Sequence, residues 1–437
     1  MTHQRLSPTE KDAGGHLHYG WVITIVSVSV VMGAIGFARF GYTIILPRMK
    51  SSLHLTDSQT GDIAMANMLG YLAFSLFCGV LASRVGHKLV IVLSLLLTGL
   101  SLFITGLARG FAGALLFRFL AGAGGGGANV PMMSLMSIWF AKSRRGLATG
   151  ITVSGSSFAL LISGFILPAI MRSGGDSGWS SGWYVLGGIT IGLALVSAFL
   201  LKNSPRAKGL LPIGTSEDGA APSGTTSKND GKADNTGSPL RILRRGILWV
   251  LALIYLFFGF SYVIYATFYA RYLLAELGIS ERTVGHFWSS IGAISIASGF
   301  LSGALSDKLG RKYALAGIFF LQTASYLLFS VAKSMPGILL SSFLFALTAF
   351  SIPAVMSAAI GDTFGPENSS TVFGLVTMIF GFGQAAGPFV AGRIAETTGS
   401  FASAYLVAAS AACIGGLVSL SALPGSRSKM RYRSTRS

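Results

Sequence analysis

Apolar residues fall along this chain in blocks of about 20, broken by short polar stretches. Each block is long enough to cross about 30 Å of hydrocarbon at roughly 1.5 Å per residue. In hydrocarbon every backbone N–H and C=O must be bonded within its own segment, so the blocks predict helices. They run over 19–46, 60–82, 89–107, 111–140, 146–171 and 183–201. A polar segment over 202–246 follows, rich in Gly, Ser, Thr, Asp and Lys. It has no apolar period and predicts a mobile linker. Six more helices follow over 247–275, 284–305, 313–332, 336–361, 370–396 and 401–423. The short connections make neighbouring helices antiparallel.

The two sets of six read as copies. Gly36-Phe37 of the first helix matches Gly259-Phe260 of the seventh. Gly79-Val-Leu-Ala-Ser-Arg-Val-Gly-His-Lys88 matches Gly303-Ala-Leu-Ser-Asp-Lys-Leu-Gly-Arg-Lys312. The expected architecture is an all-α integral membrane protein of twelve transmembrane helices in two pseudo-symmetric bundles, 19–201 and 247–423. A solute path between such bundles lies near the bilayer midplane.

Composition agrees. Hydrophobic residues make up 51% and charged residues 11% of the 437, and mean hydropathy is +0.65. The net charge of +18 would suggest nucleic acid in a soluble protein. Its placement argues otherwise. Most of the 33 Lys and Arg fall on one side once the helices alternate. This is the positive-inside bias, and it predicts cytoplasmic tails at 1–18 and 424–437 and a cytoplasmic linker. The basic residues Arg427, Lys429, Arg431, Arg433 and Arg436 suit anionic lipid better than a nucleic acid. Cys78 and Cys413 form neither a disulfide framework nor a metal spacing. The first apolar block is too long for a signal-peptide core. No cofactor or metal is expected, and the protein is expected to be monomeric.

Several motifs narrow the reading. Gly303 to Lys312 places Asp307 at a helix end, with Arg311 and Lys312 beside a sharp turn at Gly310. This resembles the loop motif of the major facilitator superfamily, where acid and bases lock cytoplasmic helix ends together in one conformation. By that resemblance Asp307, Arg311, Lys312, Arg84 and Lys88 are gating candidates. In the first-half copy Ser83 replaces the acid and His87 an arginine. Arg118-Phe-Leu-Ala-Gly122-Ala-Gly124 resembles the family's fourth-helix motif, whose arginine is linked in many members to proton movement. The plainer reading is a structural arginine bonded to carbonyls. Gly122 to Gly127 would leave one helix face nearly bare for a neighbouring backbone.

Trp139 to Ser156 and His18-Tyr-Gly-Trp21 resemble the bacterial monocarboxylate transporter-like and oxalate/formate-type branch. The eighth helix departs from it, with Ser295 and Gly299 where proton-coupled monocarboxylate carriers have Asp and Arg. The eleventh helix has no lysine, and Gln384 is the polar group in its apolar stretch.

Arg39 lies in the apolar run Gly36 to Gly41, about a third of the way from the outer end. A buried guanidinium can grip a carboxylate through two parallel hydrogen bonds. The alternatives are an arginine reaching the outer surface or one paired with Asp62. Tyr262 stands opposite Arg39 in the repeat, and Tyr265 follows on the same helix face. Asn67, Asn129 and Gln384 are polar groups in apolar helices that either line the path or tie helices together. The substrate candidates are Arg39, Tyr262, Tyr265, Asn67, Asn129 and Gln384. Proton-coupling candidates are Arg118, Asp62 and His286; the last also reads as a wet interfacial histidine.

The function expected is transport by alternating access, with no enzyme activity. The cargo is a small organic anion such as a mono- or dicarboxylate, with a proton or counter-anion as partner, across the cytoplasmic membrane. The alternative is an exporter of amphipathic drug-like compounds, which Met132, Met133 and Met136 would suit.

Overall fold

The computed structural model describes residues 18–215 and 243–423. Twelve of its helices are long and apolar enough to cross a membrane. They are α1 Tyr19–Ser52, α2 Asp57–Val85, α3 His87–Thr105, α4 Phe111–Trp139, α5 Lys142–Ser173 and α6 Gly178–Leu200. The second half holds α7 Gly246–Ala275, α8 Glu281–Leu309, α9 Arg311–Val331, α10 Met335–Phe364, α11 Pro366–Thr398 and α12 Phe401–Ala422. The tails 1–17 and 424–437, and the linker over 216–242, lie outside the described residues.

Local chemistry explains most departures from the predicted bounds. α1 runs past Pro47 to Ser52 rather than ending at Leu46. Arg39 is the fourteenth residue from the Ser52 end of this 34-residue helix, close to the expected third of the way in. Within α1 the backbone loosens to a π-helix over Met32–Phe40, which contains Gly33, Gly36 and Arg39. Such stretches are rare and recur at functional sites. α10 is interrupted between Thr348 and Ser351. Pro353 lacks an N–H for the carbonyl of Ala349, and its ring crowds that carbonyl.

The repeat extends to backbone detail. Gly86 joins α2 to α3 at φ 98° and ψ 138°; Gly310 joins α8 to α9 at φ 87° and ψ 150°. Both φ values favour glycine, so the two copies of the motif make the same turn. The glycine run of α4 is approached from several sides, not along one bare face. Gly125 meets the backbone of α1, Gly122 and Gly126 that of α2, and Gly124 that of α3. A side chain at any of them would push a helix away.

The first part of the predicted mobile linker is folded. Pro205–Lys208 forms a 3-10 turn, and Ile213 pairs with the strand-like backbone around Phe140. Ile213 donates to Trp139 O at 3.0 Å and Ala141 donates to Ile213 O at 2.9 Å. The Ile213 side chain is 1% exposed, buried with Ile23, Trp139 and Phe140. Trp139 Nε1 donates to Lys202 O, and Lys88 N donates to Asn203 Oδ1. Residues 202–215 thus strap the basic ends of α1, α3, α4 and α5. Leu201, Ile213 and their neighbours lack an apolar period but fill one pocket, which a periodicity argument misses.

The halves meet along α2 with α11 and along α5 with α8. Gly61 lies against Pro388 and Gly392; Gly285 lies against Gly164 and Pro168. Ser289 Oγ donates to Leu161 O at 2.8 Å, and Ser295 Oγ to Ser157 Oγ at 3.0 Å. These contacts run from the far end to the middle of the helices and stop. Toward the basic end, Gly150 of α5, Gly303 of α8 and Gly374 of α11 have nothing within 4 Å of a built Cβ. The seam is therefore shut at the far end and splayed at the end that carries the basic loops.

Candidate substrate-binding site

The floor of this cleft is where α1 and α7 cross. Two contacts join residues 223 apart in sequence. Arg39 Nη1 donates to Tyr262 Oη at 3.1 Å, and Thr43 Oγ1 donates to Ala266 O at 2.7 Å. Since 223 is also the repeat offset, the pseudo-twofold axis runs between these helices.

Arg39 is half-buried, and its Nε has no partner. Its guanidinium lies 5.3 Å from the centre of the Tyr71 ring, a cation–π contact. Asn129 Nδ2 donates to Tyr71 Oη at 2.9 Å. On the other side, Gln384 Nε2 donates to Tyr262 Oη at 3.1 Å. Asn129, Tyr71, Arg39, Tyr262 and Gln384 form one polar chain across both halves. Stacked rings back it: Tyr262 lies 4.9 Å from Phe258, and Tyr255 lies 4.3 Å from Phe380. Arg39 is not paired with Asp62, so its charge is uncompensated at the cleft floor.

Four of the six substrate candidates therefore converge. The other two do not. Tyr265 faces the interior of the second half, where its Oη meets Ser341 Oγ at 3.0 Å among Tyr326, Phe329 and Phe345. Asn67 is 2% exposed, and its Nδ2 bonds Arg118 O at 3.0 Å, tying α2 to α4. Tyr71 was missed: a tyrosine in a membrane helix carries no mark distinguishing a cavity wall from packing.

The coupling candidates separate. Arg118 is 1% exposed and is held 5.0 Å from the rings of both Tyr42 and Trp183. Aromatic faces supply what the predicted carbonyls would have, at about 0.5–2 kcal/mol for each cation–π contact. Asp62 binds Arg393 of α11 at 2.7 Å. His286 is exposed, edge-on to Phe165 at 5.8 Å, on the outside of the α5–α8 seam.

Asp62–Arg393 belongs to a set of ion pairs that closes the far end. Arg48 of α1 forms a fork with Glu281 of α8 at 2.6 and 2.9 Å, and its Nη1 also donates to Met171 O at 2.7 Å. Asp57 of α2 receives Lys50 at 2.6 Å and Arg271 of α7 at 3.5 Å. Ser58 N donates to Glu396 of α11 at 3.1 Å. At the basic end Arg311 is bonded within the second half. Arg311 bridges Asp307 at 2.6 Å and Asp362 of α10 at 3.1 Å, and also bonds Ser306. Arg84 is exposed. The lock implied by the motif ties α8, α9 and α10 together.

Known proteins share this plan. A probable sulfoacetate transporter of Cupriavidus necator is 25% identical over 407 residues, 91% of this chain and 92% of that protein. A hexuronate transporter of Bacillus subtilis is 26% identical over 87% of this chain and 89% of its own length. A putative tartrate transporter of Agrobacterium vitis is 24% identical over 85% and 86%. A crystal structure of a bacterial homologue of the human lysosomal transporter Spinster superposes with TM-score 0.68 at 17% identity. It covers 92% of this chain and 95% of that one, and shows the same fold. The family model of the Major Facilitator Superfamily matches residues 28–353 and 251–436. Twelve helices, a duplicated half and a matched sequence family agree: this chain belongs to the major facilitator superfamily.

Proposed function

We propose that the protein carries a small organic anion across the cytoplasmic membrane by alternating access, with Arg39 as the anion's principal contact. The observation that carries this is the state of Arg39. It is half-buried between the halves, has no carboxylate partner among the described residues, and its Nε is unused. Placing an arginine at that depth costs about 2.5–3.5 kcal/mol on insertion scales; Arg118 bears a like cost sealed among rings, whereas Arg39 lies between the halves where a ligand can reach it. An anion would take up the free Nε–H and the remaining guanidinium N–H groups in parallel. The transport names of the relatives support the class, since sulfoacetate, hexuronate and tartrate are all organic anions.

In this reading the positive-inside bias makes the basic end cytoplasmic, with both termini there. The cleft then faces the cytoplasm, and the ion pairs of Arg48, Asp57, Asp62 and Arg393 form the outer gate. Asp62 serves that gate rather than a proton path. The neutral Ser295–Ser157 bridge stands where proton-coupled monocarboxylate carriers place charge, which fits uniport or exchange of anions better than proton symport through that pair.

Binding is the first test. A ligand that binds only the folded protein at 100 times its Kd stabilises it by about 2.7 kcal/mol. Purified wild type should melt at higher temperature with a subset of organic acids. Arg39→Ala should melt no lower than wild type without ligand and show no shift with any acid. Equal shifts in Arg39→Ala and wild type would remove the anion site.

A further inference from the structure

Two buried polar atoms at the cleft floor have no partner: Arg39 Nε and Asn129 Oδ1. The anion accounts for the first only. Asn129 Oδ1 is an acceptor and repels another oxygen anion. Leaving such an atom unbonded away from water is unfavourable. Other unpartnered atoms, such as Gln322 Oε1 and Tyr405 Oη, belong to residues 0% exposed and sealed in the second half, where no cargo reaches. Asn129, Tyr71 and Arg39 are all only half-buried.

Geometry sets what could meet it. The Asn129 amide is held at the hydroxyl of Tyr71, and the Arg39 guanidinium lies over the face of the same ring. The free acceptor and the cation thus belong to groups that touch the same phenol ring. Tyr262 Oη already accepts from both Arg39 and Gln384, so its own O–H is left to donate. The site offers a cationic fork, a hydroxyl donor and an amide acceptor beside stacked rings. Phe380, half-buried in that stack, gives a flat wall for C–H groups.

We infer that the site selects hydroxylated organic anions: the carboxylate meets Arg39, and a hydroxyl on the same carbon chain donates to Asn129 Oδ1. This rests on the anion reading above and adds a specificity-determining residue to it. Sites built to bond a substrate hydroxyl reject the analogue lacking it, because their own polar group is then stranded.

The test uses three pairs of acids that differ in their hydroxyls: lactate with propionate, malate with succinate, and gluconate with hexanoate. Binding to purified protein is measured for wild type, Asn129→Leu, Asn129→Ser and Arg39→Ala. In every pair that binds wild type, the hydroxylated member should bind about tenfold or more tightly. Asn129→Leu should weaken that member alone and erase the preference, and Asn129→Ser, which keeps an acceptor, should retain part of it. Arg39→Ala should lose both members. Equal binding within each pair in wild type, or equal losses of both members in Asn129→Leu, overturns the assignment of Asn129 and leaves the anion site standing. Binding of none of the six acids to wild type overturns the anion reading itself.

Discussion

At the residue scale, one phenol oxygen holds the site together. Tyr262 Oη is the acceptor for both Arg39 and Gln384, which come from opposite halves. Tyr262→Phe keeps the ring and its stacking on Phe258 but strands two donors and frees the guanidinium to wander. We expect the KM for transport to rise roughly five- to tenfold, from about 1–1.5 kcal/mol of lost positioning, with little change in thermal stability. An unchanged KM would mean that Tyr262 only packs. Arg39, Asn129 and Gln384 were legible in the sequence because a polar group in an apolar helix stands out. Their convergence was not, because the rotation of each helix is set by packing. Tyr265 shows the limit: it shares a helix face with Tyr262 by spacing, yet its hydroxyl turns to Ser341. Asn67 and Asn129 look alike in sequence, and only contact with Arg118 O or Tyr71 Oη separates them.

At the element scale, paired helices close one end by two different means. Backbone approach at Gly61, Gly164, Gly285 and Gly392 brings α2 to α11 and α5 to α8. Ion pairs then fasten the rim. The Arg48–Glu281 fork is about a quarter exposed, at 28% and 23%, and solvent screening holds it to about 1 kcal/mol. Arg48→Glu should therefore raise the population open at the far end about fivefold. Pulsed spin-label distances between His54 and Ala275, on opposite halves, would report it. Restoration by the swapped pair Arg48→Glu with Glu281→Arg would assign the effect to the fork, whereas an unchanged distance distribution would exclude it from the gate. The helix bounds were legible from hydropathy; the rim was not, because Arg48, Glu281 and Arg393 read as ordinary charges near helix ends. The strap over 202–215 was hidden for a related reason. Its buried apolar anchors, Pro205 and Ile213, have no periodic neighbours to announce them.

At the scale of the whole molecule, the duplicated sequence carried most of the architecture. The offset between Gly36 and Gly259 reappears as two contacts across the symmetry axis, Arg39 with Tyr262 and Thr43 with Ala266. What the repeat could not tell is where symmetry breaks. Asp62 and His286 are equivalent by the repeat, yet one fastens the gate to Arg393 and the other lies outside the seam. Arg39 itself faces a tyrosine rather than a second cation, so the site is asymmetric at its centre. Nor did sequence reveal which end is open, since both ends of a rocking pair are encoded by the same helices. The central claim is that the cargo is an organic anion gripped by Arg39 on its way across the membrane. Uptake of labelled organic acids into proteoliposomes, wild type against Arg39→Ala, tests it most directly. The account predicts saturable uptake of at least one acid by wild type. It predicts a loss of about a hundredfold in Arg39→Ala, the scale expected when one partner of a buried, hydrogen-bonded charge pair is removed. Wild-type rates in a folded Arg39→Ala protein would contradict it.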